Sequence, residues 1–246
     1  MRRLKQVFGT AVLTAVLLAG LVSPVLAETV EMRYSDLDHL HAPKVVNGVI
    51  YQYDANGNLV NDRERVISWN QDNLPTRIEK DGKVVEFFYD ANGQRIVKRS
   101  DQRTQTYVDV RYQLSTINNQ QSVSKYYFAN GRIAQSVDDN LTFLHQDHLG
   151  STVLSTDSNS QKIADPLSYF PYGRSTNNEQ LAMSNYLFTG QELDDELDLY
   201  NYNARLYNPT TGSFISADPV QGPNRYAYAK DNPIHRPDRS VDSGRG

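Results

Sequence analysis

Tyr53-Asp54-Ala55-Asn56-Gly57-Asn58-Leu59 returns nearly unchanged as Tyr89-Asp90-Ala91-Asn92-Gly93-Gln94-Arg95, and this stretch decides the fold. Between the two, Trp69-Asn70-Gln71-Asp72-Asn73 fills the same slots, with Trp for Tyr, Asn for Asp and Asn for Gly. Tyr127-Phe128-Ala129-Asn130-Gly131 is a weaker fourth copy. The turn position falls at Gly57, Asn73, Gly93 and Gly131, in steps of 16, 20 and 38 residues, the last near twice the others. Gly and Asn tolerate φ > 0, so each copy predicts a tight turn, and Asn-Gly favours the type I′ hairpin. The Asp or Asn after the aromatic can cap that turn by accepting backbone N–H groups two residues on.

Working outward, alternating stretches such as Lys83-Val84-Val85-Glu86-Phe87-Phe88-Tyr89 and Gln94-Arg95-Ile96-Val97-Lys98-Arg99 flank the turns and read as strands. Each copy is then one strand-turn-strand unit that buries its apolar face only by stacking on its neighbours. Aromatic content agrees: 16 Tyr stand against a single Trp, and Tyr suits half-buried sheet faces. The expected class is all-β.

The N-terminus reads as an export signal. Arg2, Arg3 and Lys5 precede an apolar run from Val7 to Val22, and Val25-Leu26-Ala27 offers a small-residue cleavage site. Residues 1–27 are therefore expected to be a signal peptide and Glu28 the mature start, with an uncleaved N-terminal anchor as the alternative. The 219 residues that follow suit one domain with a real core. The chain has no Cys, which excludes disulfides, thiolate chemistry and Cys-based zinc sites. Its formal charge of −4 argues against a nucleic-acid partner, which calls for a clustered basic face.

Residues 141–238 carry a series of blocks: His145-Gln146-Asp147-His148-Leu149-Gly150-Ser151, Tyr169-Phe170-Pro171-Tyr172-Gly173, Phe188-Thr189-Gly190-Gln191-Glu192-Leu193-Asp194, Leu199-Tyr200-Asn201-Tyr202-Asn203-Ala204-Arg205-Leu206-Tyr207 and Gly212-Ser213-Phe214-Ile215-Ser216-Ala217-Asp218-Pro219, closed by Asn224-Arg225-Tyr226 and Asn232-Pro233. In this order, behind Tyr-Asp repeats, they resemble the C-terminal core of the Rhs/YD-repeat family, over about residues 45–238. The resemblance implies a YD-repeat β-hairpin spiral, here a partial Rhs-type shell, with an irregular C-terminal core segment. The expected division is 28–140 for the repeats, 141–238 for the core and 239–246 for a disordered tail.

In polymorphic toxins of that family the shell encloses a toxic domain, and two Asp residues are associated with an aspartyl-type cut just beyond the core. Carried over by position they are Asp218 and Asp238. Paired carboxylates suit such work, because one activates water while the other, protonated, polarises the amide. Here Asp238 is followed by Arg239-Ser240-Val241 rather than Pro-x-Gly, Asn208 and Ser213 replace an expected acid and Arg, and the sequence ends eight residues past Asp238. Asp218 is therefore expected as a turn cap, with residual self-cleavage as the alternative.

Other candidates are bland. His145, Asp147 and His148 are metal-ligand types, but strand alternation would set His145 and Asp147 on one face and His148 on the other, which favours a structural turn. Glu192, Asp194, Asp195, Glu196 and Asp198 could offer oxygens to calcium, yet lack EF-hand spacing and read rather as a solvated turn. The Tyr rings serve either sugar stacking at the surface or the sheet's inner face. No cofactor is expected. The reading is a secreted structural or surface-interaction protein, whose partners are a cell-surface carbohydrate or other Rhs/YD-repeat chains. No membrane contact is expected after leader removal, and open sheet edges favour oligomers. The alternative is the self-cleaving core of a polymorphic toxin used in interbacterial competition, here without its toxin domain.

Overall fold

The computed structural model describes residues 29–129, 131–176, 184–220, 222 and 224–235. The predicted signal peptide 1–27, the tail 239–246 and Asp238 lie outside the described residues. Strands β1 (Met32–Arg33), β2 (Val45–Val46) and β3 (Val49–Ile50) form a small antiparallel sheet. A 12-stranded antiparallel meander follows, each strand paired with its sequence neighbour. It comprises β4 (Gln52–Tyr53), β5 (Leu59–Asn61), β6 (Arg65–Trp69), β7 (Pro75–Lys80), β8 (Lys83–Tyr89), β9 (Arg95–Ser100), β10 (Arg103–Asp109), β11 (Tyr112–Ile117), β12 (Gln120–Phe128), β13 (Arg132–Val137), β14 (Asn140–Gln146) and β15 (Thr152–Asp157). A four-stranded sheet closes the chain: β16 (Glu192–Asp194), β17 (Leu199–Asn201), β18 (Leu206–Asn208) and β19 (Ser213–Phe214). The only helical pieces among the described residues are two 3₁₀ turns, so none is long and apolar enough to cross a membrane. The all-β hairpin architecture is as expected.

The Tyr-Asp turns differ from the predicted type. In the first copy only Gly57 has φ > 0; Asn56 does not. Asp54 N–H donates to the Asn58 carbonyl (2.9 Å) and Gly57 N–H to the Asp54 carbonyl (3.0 Å). This is a type I turn closed by a left-handed residue and a bulge, not a type I′ turn. The reason lies in Asp54, whose Oδ1 accepts the N–H groups of Asn56 and Asn58, both at 2.9 Å, and so winds the first residues right-handed. Asn70 and Asp90 repeat this at their own turns. So do Asp147 and Asp157, copies that sequence comparison did not find. The predicted structural turn at Leu149-Gly150 is thus a Tyr-Asp-type turn. True two-residue turns, with φ > 0 at both residues, join β2–β3 (Asn47-Gly48), β7–β8 (Asp81-Gly82), β11–β12 (Asn118-Asn119) and β13–β14 (Asp138-Asp139). In the meander they occupy the rim opposite the turns at Asp54, Asn70, Asp90 and Asp147.

The aromatic slot has a job of its own. Trp69 Nε1 donates to the Leu59 carbonyl (2.8 Å), Tyr89 Oη to that of Pro75 (2.8 Å) and Tyr169 Oη to that of Thr152 (2.6 Å). Leu59 and Pro75 are each the first residue after the immediately preceding turn of that type, and Thr152 is the first residue after the turn at Asp147, one turn further back. The slot needs a ring with a donor at its tip, which Tyr and Trp share and Phe lacks.

The last segment, 184–235, is a plug laid on the sheet's inner face. Ile67, Ile78 and Val85 stand in register across β6, β7 and β8, and with Leu59 and Phe87 they meet Leu197, Leu199, Leu206 and Ile215 of the plug. Each such burial contributes about 1.5–3 kcal/mol. A second, aromatic cluster lies mainly within the plug: Phe188, Tyr200, Tyr202, Tyr207, Phe214 and Tyr228. Most of the fully buried Tyr side chains are there rather than on the long sheet. Tyr226 pins the plug to the first turn by donating to the Gly57 carbonyl (2.8 Å), and a Cβ at position 57 would collide with that phenol.

Candidate functional site

Two places gather chemically capable side chains. The first is a charged seam under the plug. Glu192 and Asp194 are two apart on β16, so both point to the same face, toward the long sheet. Asp194 takes Arg95 Nη1 at 2.7 Å and Lys98 Nζ at 2.9 Å. Glu192 takes Arg95 Nη2 at 2.7 Å, Gln105 Nε2 at 2.8 Å and Tyr107 Oη at 3.0 Å. The four charged residues are buried, Asp194 completely. The solvated-turn reading therefore fails for Glu192 and Asp194, whose carboxylates are consumed by Arg and Lys; Asp198 is exposed and pairs with Lys80.

Burial pushes the Asp194 carboxyl up, but the adjacent Arg95 and Lys98 outweigh it and hold the group below the usual carboxylate range. Burial likewise works against charge on Arg95 and Lys98, and the facing acids win, so both stay protonated beyond their ordinary range. Every carboxylate oxygen here is neutralised by a cation or a donor. The cluster can clamp; it has no free base to offer.

The predicted site residues lie elsewhere. Asp218 Oδ2 pairs with Arg205 Nη2 at 2.9 Å, and its Oδ1 accepts the Val220 N–H at 2.9 Å, an ion-paired turn cap. Arg205 in turn stacks on the Phe214 ring, 3.7 Å from its centre. Of the expected pair only Asp218 is described. His145 Nε2 meets Thr156 Oγ1 at 3.0 Å, while His148 Nε2 donates to the Ile234 carbonyl at 3.0 Å, so the two imidazoles serve different neighbours. No group of three potential metal ligands occurs among the described residues.

The second place is an open cleft of about 490 Å³ bounded by the N-terminal strand, the turn at Phe170–Arg174 and the plug. Val30, Met32 and Tyr34 form one wall, and Phe170, Tyr172 and Asp231 stand among the residues of the other. Tyr34 is 56% exposed. Burial, and after it the Asp231 carboxylate, pushes the Tyr34 and Tyr172 phenols up, so both rings keep their protons and can donate. Amphipathic rings, a carboxylate and the hydroxyls of Thr210 and Ser213 give the cleft a mixed stacking and hydrogen-bonding character. Tyr richness was visible in the sequence; the assembly of these rings from positions 34, 170, 172 and 226 was not.

Comparison with known proteins agrees with this architecture. The Teneurin YD-shell family model matches residues 25–235. The chain is 26% identical over 208 residues to the tRNA3(Ser)-specific nuclease WapA of Bacillus spizizenii, covering 77% of this chain and 9% of that protein. It is 26% identical over 214 residues to toxin subunit YenC1 of Yersinia entomophaga, covering 71% of this chain and 22% of that one. Among solved structures, TcdB2-TccC3 superposes with a TM-score of 0.64 at 22% identity, over 74% of this chain and 11% of that one. The chain thus spans at most about a fifth of these proteins.

Proposed function

The chain belongs to the Teneurin YD-shell family, and on that premise we propose that it is an exported, non-catalytic β module that presents a saccharide-binding cleft to a cell surface. The cleft carries the reading: four Tyr and Phe rings, a carboxylate and hydroxyls line one open concavity. Aromatic faces stack on the C–H faces of sugars while the polar groups take hydroxyls. The charged seam supports the non-catalytic part, because its acids are spent on Arg95 and Lys98. Export rests on the N-terminal sequence. The partners are envelope polysaccharide and, through open strands, other YD-repeat chains.

The test is a pull-down of the purified protein with peptidoglycan and with soluble cell-envelope polysaccharide. Wild type is expected to bind one of them and Tyr34→Ala about tenfold more weakly, the loss of one stacking ring. Binding of neither by folded protein, or unchanged binding by Tyr34→Ala, sinks the proposal.

A second reading is favoured by Asp218, whose carboxylate stays about a quarter exposed. Here the protein is a self-cleaving core of the polymorphic-toxin kind, with Asp238 as the other acid. Intact mass of the expressed chain decides it: a product cut beyond Asp218 and restored to full length in Asp218→Asn supports cleavage, while uncut wild type ends it. The same spectrum reads whether the N-terminus is Glu28.

A further inference from the structure

The edge of the small N-terminal sheet carries an arrangement that fits a second copy of itself. β1 is an outer strand, paired only with β2. Its odd residues face β2: the Glu31 carbonyl accepts the Asn47 N–H at 2.8 Å, the Arg33 carbonyl accepts the Lys44 N–H at 2.8 Å, and Glu31 N–H donates to Asn47 Oδ1 at 2.9 Å. Strand alternation turns the N–H and C=O groups of Val30, Met32 and Tyr34 the other way, along the free edge. Among the described residues, no strand pairs with β1 on that side. Such an edge is a template for another strand.

We propose that β1 is the contact strand of a homodimer, pairing antiparallel with β1 of a second copy about a two-fold axis at Met32. Three independent features agree on that register. Main-chain groups come first: with Met32 opposite Met32 of the second copy, Val30 falls opposite Tyr34 of that copy. All three outward-facing residues then become hydrogen-bonded pairs. Charge comes second. Glu31 and Arg33 lie on the strand's exposed face, ion-paired to each other at 2.8 Å with side chains 66% and 69% exposed. The same register sets Glu31 opposite Arg33 of the second copy, twice by symmetry, at the closely spaced non-hydrogen-bonded positions. Slipping the pairing by two residues, the smallest slip that keeps the main-chain groups facing, sets Glu31 against Glu31 or Arg33 against Arg33. Like charges directly opposite disfavour both slips. The third feature is the other face, where Val30, Met32 and Tyr34 wall the cleft. In the dimer these side chains meet their counterparts and join the two clefts along one apolar stripe. The contact is isologous and therefore closes at two copies.

Five residues from each copy make a small interface, so the dimer dissociates on dilution. Sedimentation velocity of the purified chain is expected to show its mass doubling as concentration rises. Glu31→Arg alone should weaken association at least about tenfold, the scale of an opposed like-charge pair. The double exchange of Glu31→Arg with Arg33→Glu should restore it. Both side chains are exposed, so folding is unaffected, which circular dichroism verifies. Because the chain has no Cys, oxidation reads the register directly. Met32→Cys places two Cα atoms about 5.5 Å apart across the axis and should form a dimeric disulfide. Tyr34→Cys leaves its own counterpart four residues along the strand, about 13 Å away, and should not.

A monomer at every concentration overturns the proposal, as do equal cross-linking of the two Cys variants and a charge exchange that fails to rescue. A Met32→Cys disulfide to a polypeptide of different mass, with no doubled mass, assigns the edge to another partner and overturns the homodimer. The inference is separable from saccharide binding: Glu31→Arg leaves Tyr34 and the cleft in place, so loss of the dimer with retained polysaccharide binding distinguishes the two.

Discussion

Strands β6 to β8 show the plug Ile67, Ile78 and Val85, whereas β9 and β10, next in the same sheet, show it Arg95, Lys98 and Gln105. The apolar half gains from burial whatever the orientation of the partner surface. The charged half gains only when Glu192 and Asp194 arrive at their donors, and any offset leaves buried charge unmatched. The aliphatic seam therefore supplies most of the adhesion. The ionic seam penalises any seating of the plug that leaves its charges unmatched.

Asp194→Ala should have the largest effect, a loss of about 3–5 kcal/mol by thermal or denaturant unfolding, because Arg95 and Lys98 stay buried without their shared partner. If instead the variant melts like wild type, the seam is permeable to water and the contrast collapses. Ile78→Ala, in the fully buried row, is expected to cost about 2–5 kcal/mol through lost transfer energy and a cavity. Its cost should not vary with pH.

The two halves also differ in their response to pH. Asp194 is held below 3.8, so its contribution is present above the unfolded carboxyl's pKa and is lost as pH falls through the folded value. Lys98 is held above 10.5, so its contribution is present below the unfolded lysine's pKa and is lost as pH rises through the folded one. Wild-type stability should be level between those limits and fall at each end. In Asp194→Ala the acid limb should be shallower, as read by melting temperature against pH. Smallest is Tyr89→Phe, which keeps the ring and deletes the bond to the Pro75 carbonyl. About 1 kcal/mol is expected, with no change in acid sensitivity.

What the sequence disclosed follows the range of the interactions involved. Turn positions were legible because φ > 0 is a local demand that Gly57, Asn73 and Gly93 meet on their own. The turn type was not, because the Asn-Gly rule ignores the Asp carboxylate two residues upstream. The Asp157 copy stayed hidden because Ser160 holds the left-handed position where Gly was sought. Asp218 reads as a turn cap from Asp-Pro alone, whereas its ion pair with Arg205 depends on the plug's folding. The seam was least legible of all. Arg95 and Lys98 are three apart, which strand alternation places on opposite faces. The register skip between Tyr89–Arg95 and Phe88–Val97 brings them to the same face. Their partners lie nearly a hundred residues on, beyond any local pattern.

The plug's position late in the chain has a kinetic consequence. Hairpins of the long sheet close over a few residues and can form early. The Arg65 guanidinium finds the Leu197 carbonyl 132 residues away, and Tyr226 reaches Gly57 across 169. Contacts of that separation carry the largest loop-closure cost, so docking of the plug is expected to be the slow step of folding, a slow phase that stopped-flow refolding followed by Trp69 fluorescence would read. Until then Leu59, Ile67, Ile78 and Val85 stay bare on a preformed sheet, the kind of intermediate that associates with its own kind. A nascent chain halted before residue 197 keeps its hairpins and lacks Leu197, Leu199, Leu206 and Ile215, the cover for that row.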